Sequence, residues 1–425
     1  MITFVHTADI HFGMENYGRV DPQTGIHTRL LDFKKSLETC IDDAIARNVD
    51  LFLFSGDAYK TAYPSPTQQR LLMELFFKLF AANIPVVIVV GNHDQPLSFG
   101  KTNAIDVFSQ VPIGGFHVFS KPGILRLVTK NGPIQIVGIP WPTRHNVITK
   151  DEHRTCKSTE ITAYLAEQVG SIITTFAEQL NPDEPAVLAA HLTVSNGIFS
   201  GSEKCAVYGS DPLFLPSSLA HPAFDYVALG HLHRYQNLNP NGYPAVVYAG
   251  SIDRIDFGER KETKGYCIVK IETGCDPDHA AGRKYRTSGS HEFVPLKTRP
   301  FIQVDVELPP GSDHTAIVLA AIGQYDITDA IVKIKYYINE DGPDLVDLSA
   351  ITAALKPALY VAGIVPVRAP RQRTQRVAVN VQMDIPALID AYLGANTALS
   401  HKKDRLRAKA LELVAQLESL EQVDT

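Results

Sequence analysis

Asp9 and His11 stand just after the apolar run ITFV, in the string HTADIH, and Asp57 follows VDLFLF in SGDAYK. Asn92, His93 and Asp94 follow IPVVIVV in GNHD; His191 follows AVLAA; His231 and His233 follow DYVALG in GHLH. Setting His93 and Asp94 aside leaves two Asp, one Asn and four His, nitrogen and oxygen donors without a thiolate. That set suits manganese, iron, magnesium or zinc rather than a soft metal. These are too many ligands for one ion, but they suit two that share a carboxylate, about 3.5–4 Å apart. In D-x-H and G-H-x-H the paired side chains are two residues apart, a spacing that sends both to one side of an extended backbone. Gly56, Gly91 and Gly230 come just before ligands, where a strand must turn sharply and the backbone must stay uncrowded. Single histidines elsewhere read as ordinary surface or core groups.

Such residues converge only if the runs before them are strands of open α/β sheets, whose sites form at the strands' carboxyl ends. ITFV (2–5), VDLFLF (49–54), IPVVIVV (84–90), PIQIVGI (133–139), AVLAA (186–190), DYVALG (225–230) and AVVYAG (245–250) are continuously apolar, as strands buried on both faces are. LLDFKKSLETCIDDAIARN (30–48) and PTQQRLLMELFFKLFAAN (66–83) read as amphipathic helices between them. Within the second, LLMELFFKLF (71–80) reads either as part of a subunit contact or as core. The first 295 residues therefore read as one layered α/β domain. From Arg299 the texture changes to strand, helix, strand, helix, strand: a small α+β unit over 296–369. VRAPRQRTQR (367–376) opens a basic, proline-containing linker placed at 370–382. IPALIDAYLGAN and KKDRLRAKALELVAQLESLEQ then give two helical patterns over 383–425.

At 425 residues, two or three domains are expected. The longest apolar run is far short of the roughly 20 residues that span a bilayer, and MITFVHTAD reads as a strand rather than a signal peptide. The expectation is a cytoplasmic protein with reduced thiols, since its five cysteines form no C-x-x-C pair. A net charge of -6 gives no global signature of a nucleic-acid binder, although basic residues cluster locally in 367–376 and 401–409.

Taken together and in order, HTADIH, SGDAYK, GNHD, AHL and GHLH resemble the five motifs of the calcineurin-like metallophosphoesterases. HTADIHFGMENYGRVDPQTGIHTRLLDF, LFLFSGDAYKTAYPSPTQQ and YAGSIDRIDFGE (248–259) extend the resemblance to the SbcD family of exonuclease subunits, bacterial relatives of the meiotic-recombination nuclease. The resemblance covers essentially the whole chain, strongly to about residue 260 and loosely beyond. It implies a layered β-sandwich flanked by helices, the 296–369 unit as a capping domain, and a C-terminal helical hairpin. It also implies two divalent ions, manganese or magnesium: one on Asp9, His11, Asp57 and His233, the other on Asp57, Asn92, His191 and His231. Two such cations acidify a water and neutralise charge on a phosphate under in-line attack.

His93 is then expected to contact the phosphate or assist the leaving oxygen, with Asp94 orienting its ring. Arg19, His27 and Arg29, on the loop 16–29, are candidates for DNA backbone contacts or, equally, solvated charges and salt bridges at a helix start. Where many relatives carry histidine three residues after the bridging aspartate, Lys60 stands here, a phosphate contact or a solvated loop charge. Arg254 is expected to be structural. The terminal helices imply docking on the coiled coil of an SbcC-type ABC ATPase, in a heterotetramer built on a homodimer. Two functions follow: a DNA nuclease cutting duplex ends and also hairpins or single strands, in end processing, repair and recombination, or a small-molecule phosphoesterase acting on nucleotides or cyclic nucleotides.

Overall fold

The computed structural model describes residues 1–96, 101–110, 114–143, 158–201, 211–274, 286–339, 342–368, 386, 389–390, 393 and 402–421. The linker at 370–382 and most of the first C-terminal helical pattern lie outside them. Two compact units are present. The first comprises 1–303 with 325–333 and 352–363; the second comprises 304–324, 334–351 and 364–425.

The strands of the first unit arise in chain order as β1 (Ile2–Thr7), β2 (Leu51–Phe54), β3 (Val86–Val89), β4 (Phe116–Phe119), β5 (Gly123–Thr129), β6 (Gly132–Ile139) and β7 (Ala186–His191). There follow β8 (Thr193–Val194), β9 (Leu213–Phe214), β10 (Tyr226–Gly230), β11 (Gln236–Asn237), β12 (Ala245–Tyr248), β13 (Gly265–Gly274) and β14 (Arg286–Pro295). One six-stranded sheet runs β14-β13-β1-β2-β3-β4 and another runs β11-β12-β10-β7-β6-β5. β1, β2, β3 and β4 are mutually parallel, as are β6, β7, β10 and β12. In each sheet, all carboxyl ends of the parallel strands therefore face one way. β4, β5 and the β13–β14 hairpin carry fewer continuous apolar residues, and the sequence signal for them is correspondingly weak.

Alternate residues of each central strand enter different cores. Leu51 and Leu53 of β2 join Val87, Val89, Val187, Ala189 and Ala228 in the core between the sheets. Phe52 and Phe54 turn the other way, into a core with Phe33 and Leu37 of helix α1 (Thr28–Ala46) and with Leu72 and Phe76 of helix α2 (Pro66–Ala81). In the second sheet, Leu188 and Val227 pack outward with Val169 and Ile173 of the helix Ser158–Gln179. This α/β/β/α layering explains the continuously apolar runs, because both faces of each sheet are covered. Helix α2 begins with Ser65 accepting from the Gln68 amide while the Gln68 side chain accepts from the Ser65 amide, and Pro66 fills the first position. Leu71, Leu72, Leu75, Phe76 and Leu79 of α2 are buried, so LLMELFFKLF serves chiefly as core.

Three further strands, β15 (Phe301–Glu307), β16 (Ile331–Ile338) and β17 (Tyr360–Arg368), form a separate sheet in that order. The helices His314–Ile322 and Leu348–Ala354 stand between them in sequence, in the alternation expected from Arg299 onward. The helix Lys403–Glu421 corresponds to the last helical pattern. Among the described residues, no helix is long and apolar enough to cross a membrane.

Of the readings open for Arg29, the salt bridge at a helix start is the one observed, since the side chain faces inward and is fully buried rather than offered to DNA. Its Nη1 donates to Asp32 at 2.7 Å, its Nη2 donates to the Arg254 carbonyl and lies 3.6 Å from Asp253, and its guanidinium covers the rings of Phe33 and Phe301. The physical reason is local, since Arg29 sits in the first turn of α1, where the helix turns its charged side chain onto two buried carboxylates. Asp32 also receives Arg299, at 2.7 Å and 2.8 Å. Arg254 donates to Thr298 and the Glu262 carbonyl, which makes it structural as expected. Because removing one partner leaves buried charge unpaired, Arg29→Ala should lower stability by about 3–5 kcal/mol. Chemical denaturation checks this; a loss below about 1 kcal/mol would show that the carboxylates find other partners.

Candidate dinuclear metal centre

The ends of β1, β2 and β3 in one sheet and of β7 and β10 in the other bring the ligand-type residues together, so the site spans the sandwich rather than one sheet edge. Main-chain bonds join the first two loops: Asp9 N to Gly56 O at 2.9 Å, His11 N to Asp57 O at 3.0 Å and Phe12 N to Ala58 O at 2.9 Å. Asp9 ties the sheets together, its carboxylate accepting from the His231 amide at 3.0 Å and 3.1 Å. The side chains of Asp9, His11, Asp57, His191, His231 and His233 are all buried.

The same-side reading of D-x-H from extended backbone does not hold. Asp9, His11 and Asp57 have φ of 52°, 49° and 58°, and His231 has φ of 108°. Left-handed turns, not strand alternation, aim these side chains, and such backbone in non-glycine residues clusters at functional sites. Gly56 shares this geometry at φ 99°, and a Cβ there would meet His191 Nδ1 at 2.3 Å. A Cβ on Gly91 would lie 2.1 Å from Asp57 Oδ1, and one on Gly230 would lie 2.1 Å from Ser55 O. The uncrowded backbone expected at these glycines is thus a closeness requirement, because the loops stack directly on one another.

Two groups of lone-pair donors meet at Asp57. On one side His11 Nε2 and His233 Nε2 face each other at 3.2 Å, and Asp9, His11 and His233 can offer atoms to one ion. On the other side Asn92 Oδ1 lies 3.0 Å from His191 Nε2 and 3.1 Å from His231 Nδ1. Asp57 Oδ2 stands between the groups, 3.7 Å from His11 Nε2 and 3.4 Å from His191 Nε2. Its Oδ1 accepts from the His93 amide at 2.9 Å.

The distal nitrogens settle which atoms point inward. His191 Nδ1 is 2.8 Å from the Ser55 carbonyl, which can only accept, so Nδ1 carries the proton and Nε2 presents a lone pair. His233 Nδ1 is likewise 2.8 Å from Glu259 Oε1, and His231 Nε2 lies 3.5 Å from Asp211. The inward nitrogens of His191 and His233 are thus acceptors, with His191 Nε2 facing Asn92 Oδ1 and Asp57 Oδ2, an arrangement that a cation completes. The donor set therefore fits divalent metal ions.

The electrostatics agree. Burial alone would raise Asp57, but the imidazoles of His191, His93 and His11 outweigh it and hold the carboxyl well below the usual range. Burial lowers His191, yet the Asp57 and Asp9 carboxylates raise it to about 9: that position attracts positive charge, whether proton or metal. Asp9 is pushed up to about 6, chiefly by burial, against the opposing pull of His191 and His233. Burial keeps His11 well below its ordinary value.

His93 is exposed at the edge of this cluster, its ring edge-on to His11 with centroids 4.9 Å apart. Its Nδ1 lies 2.8 Å from the Lys60 carbonyl. Asp94 does not orient that ring, contrary to expectation. It is fully buried and accepts from the amides of Ala58, Tyr59 and Gly91 at 3.2, 3.0 and 3.1 Å, pinning the second loop to the third. Burial and the Asp57 charge push it up to about 6. The side chain of Lys60 reaches Met14 Sδ at 3.2 Å, and Arg19 is exposed on its loop. His27 caps α1, accepting from the Arg29 amide.

Several supporting residues escaped the sequence. The lone tryptophan, Trp141, lies against His231 with ring centroids 4.8 Å apart and walls that side. Glu259 and Asp211 stand behind histidines. Glu259 falls within the quoted stretch YAGSIDRIDFGE, but no spacing rule ties it to His233, 26 residues away.

Residues 2–235, more than half of the chain, match the family profile of calcineurin-like phosphoesterases. A curated relative, the SbcD subunit of the nuclease SbcCD from Staphylococcus epidermidis, is 28% identical over 277 residues. The match covers 63% of this chain and 66% of that protein, just under two thirds of its length. Among solved structures, a dimetal phosphatase from Danio rerio shares 12% identity at a TM-score of 0.38, covering 63% of this chain and 92% of that one. The protein TT1561 of Thermus thermophilus shares 16% at 0.34, over 59% and 90%.

Because a Cβ at position 91 would overlap Asp57, Gly91→Ala should displace the carboxylate and weaken Mn²⁺ binding at least about tenfold. Isothermal titration with Mn²⁺ measures it; unchanged affinity would mean that Asp57 is not held by this contact.

Proposed function

This chain belongs to the calcineurin-like phosphoesterase family, and from that premise we propose that it is a metal-dependent DNA nuclease subunit. The observation that carries the reading is the convergence of nitrogen and oxygen lone pairs on both sides of Asp57 Oδ2. Asp9, His11, Asp57 and His233 would hold one ion, and Asp57, Asn92, His191 and His231 the other, with Asp57 as the bridge. Bound there, two divalent cations, manganese or magnesium, would supply Lewis-acid neutralisation of a phosphodiester and acidify water for its hydrolysis.

The chain's own groups do the rest. His93 donates through Nδ1 to the Lys60 carbonyl, so that as an imidazolium it has Nε2–H left to meet a phosphate oxygen or pass that proton to the departing one. Asp94 serves this step through the loops it pins rather than through the imidazole. Arg19, exposed on its loop, and the Lys60 ammonium are the proposed contacts to a DNA backbone.

DNA as substrate rests on the similarity to a protein named as part of a nuclease. An SbcC-type ATPase as partner, in a heterotetramer with a homodimer of this chain, acting in the cytoplasm in end processing and repair, rests on the resemblance of the sequence motifs to the SbcD family. The helix Lys403–Glu421 supports the partner, since Leu406 and Leu413, seven residues apart and both exposed, lie on one face as docking on a coiled coil requires.

Purified protein with Mn²⁺ or Mg²⁺, with and without partner and ATP, is offered linear duplex, hairpin and single-stranded DNA beside nucleoside monophosphates and cyclic nucleotides. DNA cleavage is expected; intact DNA with turnover of a nucleotide would overturn the reading in favour of a small-molecule phosphoesterase. Asp57→Ala should lose metal binding and cleavage together. His93→Ala should keep both ions while its rate falls by roughly 10²–10⁴; normal cutting by that variant would remove His93 from the chemistry.

A further inference from the structure

We infer that Glu259 and Lys264 form a positioning pair that presets His233 as a metal ligand. The inference rests on the reading of Asp9, His11, Asp57 and His233 as one ion's ligands.

Glu259 is fully buried and Lys264 is 2% exposed. The two carboxylate oxygens of Glu259 have separate duties. Oε2 takes the Ile255 amide at 2.9 Å and Lys264 Nζ at 2.9 Å. Oε1 meets His233 Nδ1 at 2.8 Å. With Oε2 saturated, the carboxylate is fixed in rotation and Oε1 is aimed at the imidazole.

Lys264 closes the arrangement from the other end. Its Nζ also donates to the His233 carbonyl at 2.9 Å and to Glu262 Oε2 at 2.9 Å. His233 is therefore held both by its ring and by its main chain. With Oε1 set against Nδ1, the ring is turned so that Nε2 presents its lone pair to the centre, 3.2 Å from His11 Nε2. His191 differs, since its distal nitrogen donates to the neutral Ser55 carbonyl. A carboxylate makes its histidine the more basic donor.

The test uses the full chain. Mn²⁺ titration is run on wild type, Glu259→Gln, His233→Ala and the double variant, with metal-free melting as the control for folding. Glu259→Gln is expected to weaken one of two Mn²⁺ ions by about 10–100-fold, to leave the other unchanged, and to add nothing in the His233→Ala background. Glu259→Asp, which withdraws Oε1 by one methylene, should give a smaller loss of the same ion and stands in if the glutamine variant does not fold. Wild-type affinity in these variants, or a Glu259 effect that persists undiminished without His233, would overturn the inference. Failure of wild type to bind Mn²⁺, or undiminished binding by His233→Ala, would overturn the metal reading itself and the inference with it.

Discussion

The structure is organised around one fully buried carboxylate, Asp57, that must sit among groups which are themselves electron-rich. Its Oδ2 lies within 3.7 Å of two imidazole nitrogens from different sheets, and further lone pairs stand behind them. Nothing apolar satisfies such a centre, because burying unpaired acceptors costs several kcal/mol. Only positive charge at the middle resolves it, and the surrounding fold places that demand at one point.

That demand reaches into the backbone. Left-handed conformations at Asp9, His11, Asp57 and His231 are each disfavoured by about a kcal/mol or more. They persist because everything beneath them is over-determined. The strands that deliver them fill a core on both faces, main-chain bonds join the first loop to the second, and Asp94 joins the second to the third. Gly91 and Gly230 matter here for what they lack, since a side chain at either would hold two loops apart.

A second layer of polar and charged groups lies behind the first. Glu259 with Lys264, Ser55 through its carbonyl and Asp211 beside His231 address the far nitrogens of three histidines. Away from the centre, Arg29, Asp32, Asp253 and Arg299 form another buried ionic group that ties the start of α1 to the 253–254 segment and the approach to β15. Buried ion pairs of this kind contribute less to net stability than to fixing which elements meet, and breaking one partner is costly.

The sequence by itself determined the donors and their order. Apolar runs that alternate between two cores are readable as strands without knowing the cores, and a carboxylate or imidazole right after such a run can only emerge at the strand's end. Periodicity likewise marked α1, α2 and the strand-helix alternation from Phe301 to Arg368, because those signals are local. What the residues around the centre do was decided by tertiary structure. Arg29 could be read equally as a DNA contact or as a helix-start salt bridge because charge is read from residue type, and only Asp32 and Asp253 decide its direction. Asp94 neighbours His93 in sequence yet binds the loop below it, because three amides converge there. Glu259 reaches His233 across 26 residues. Such pairings depend on side-chain direction and on contacts between distant segments, which no local pattern encodes.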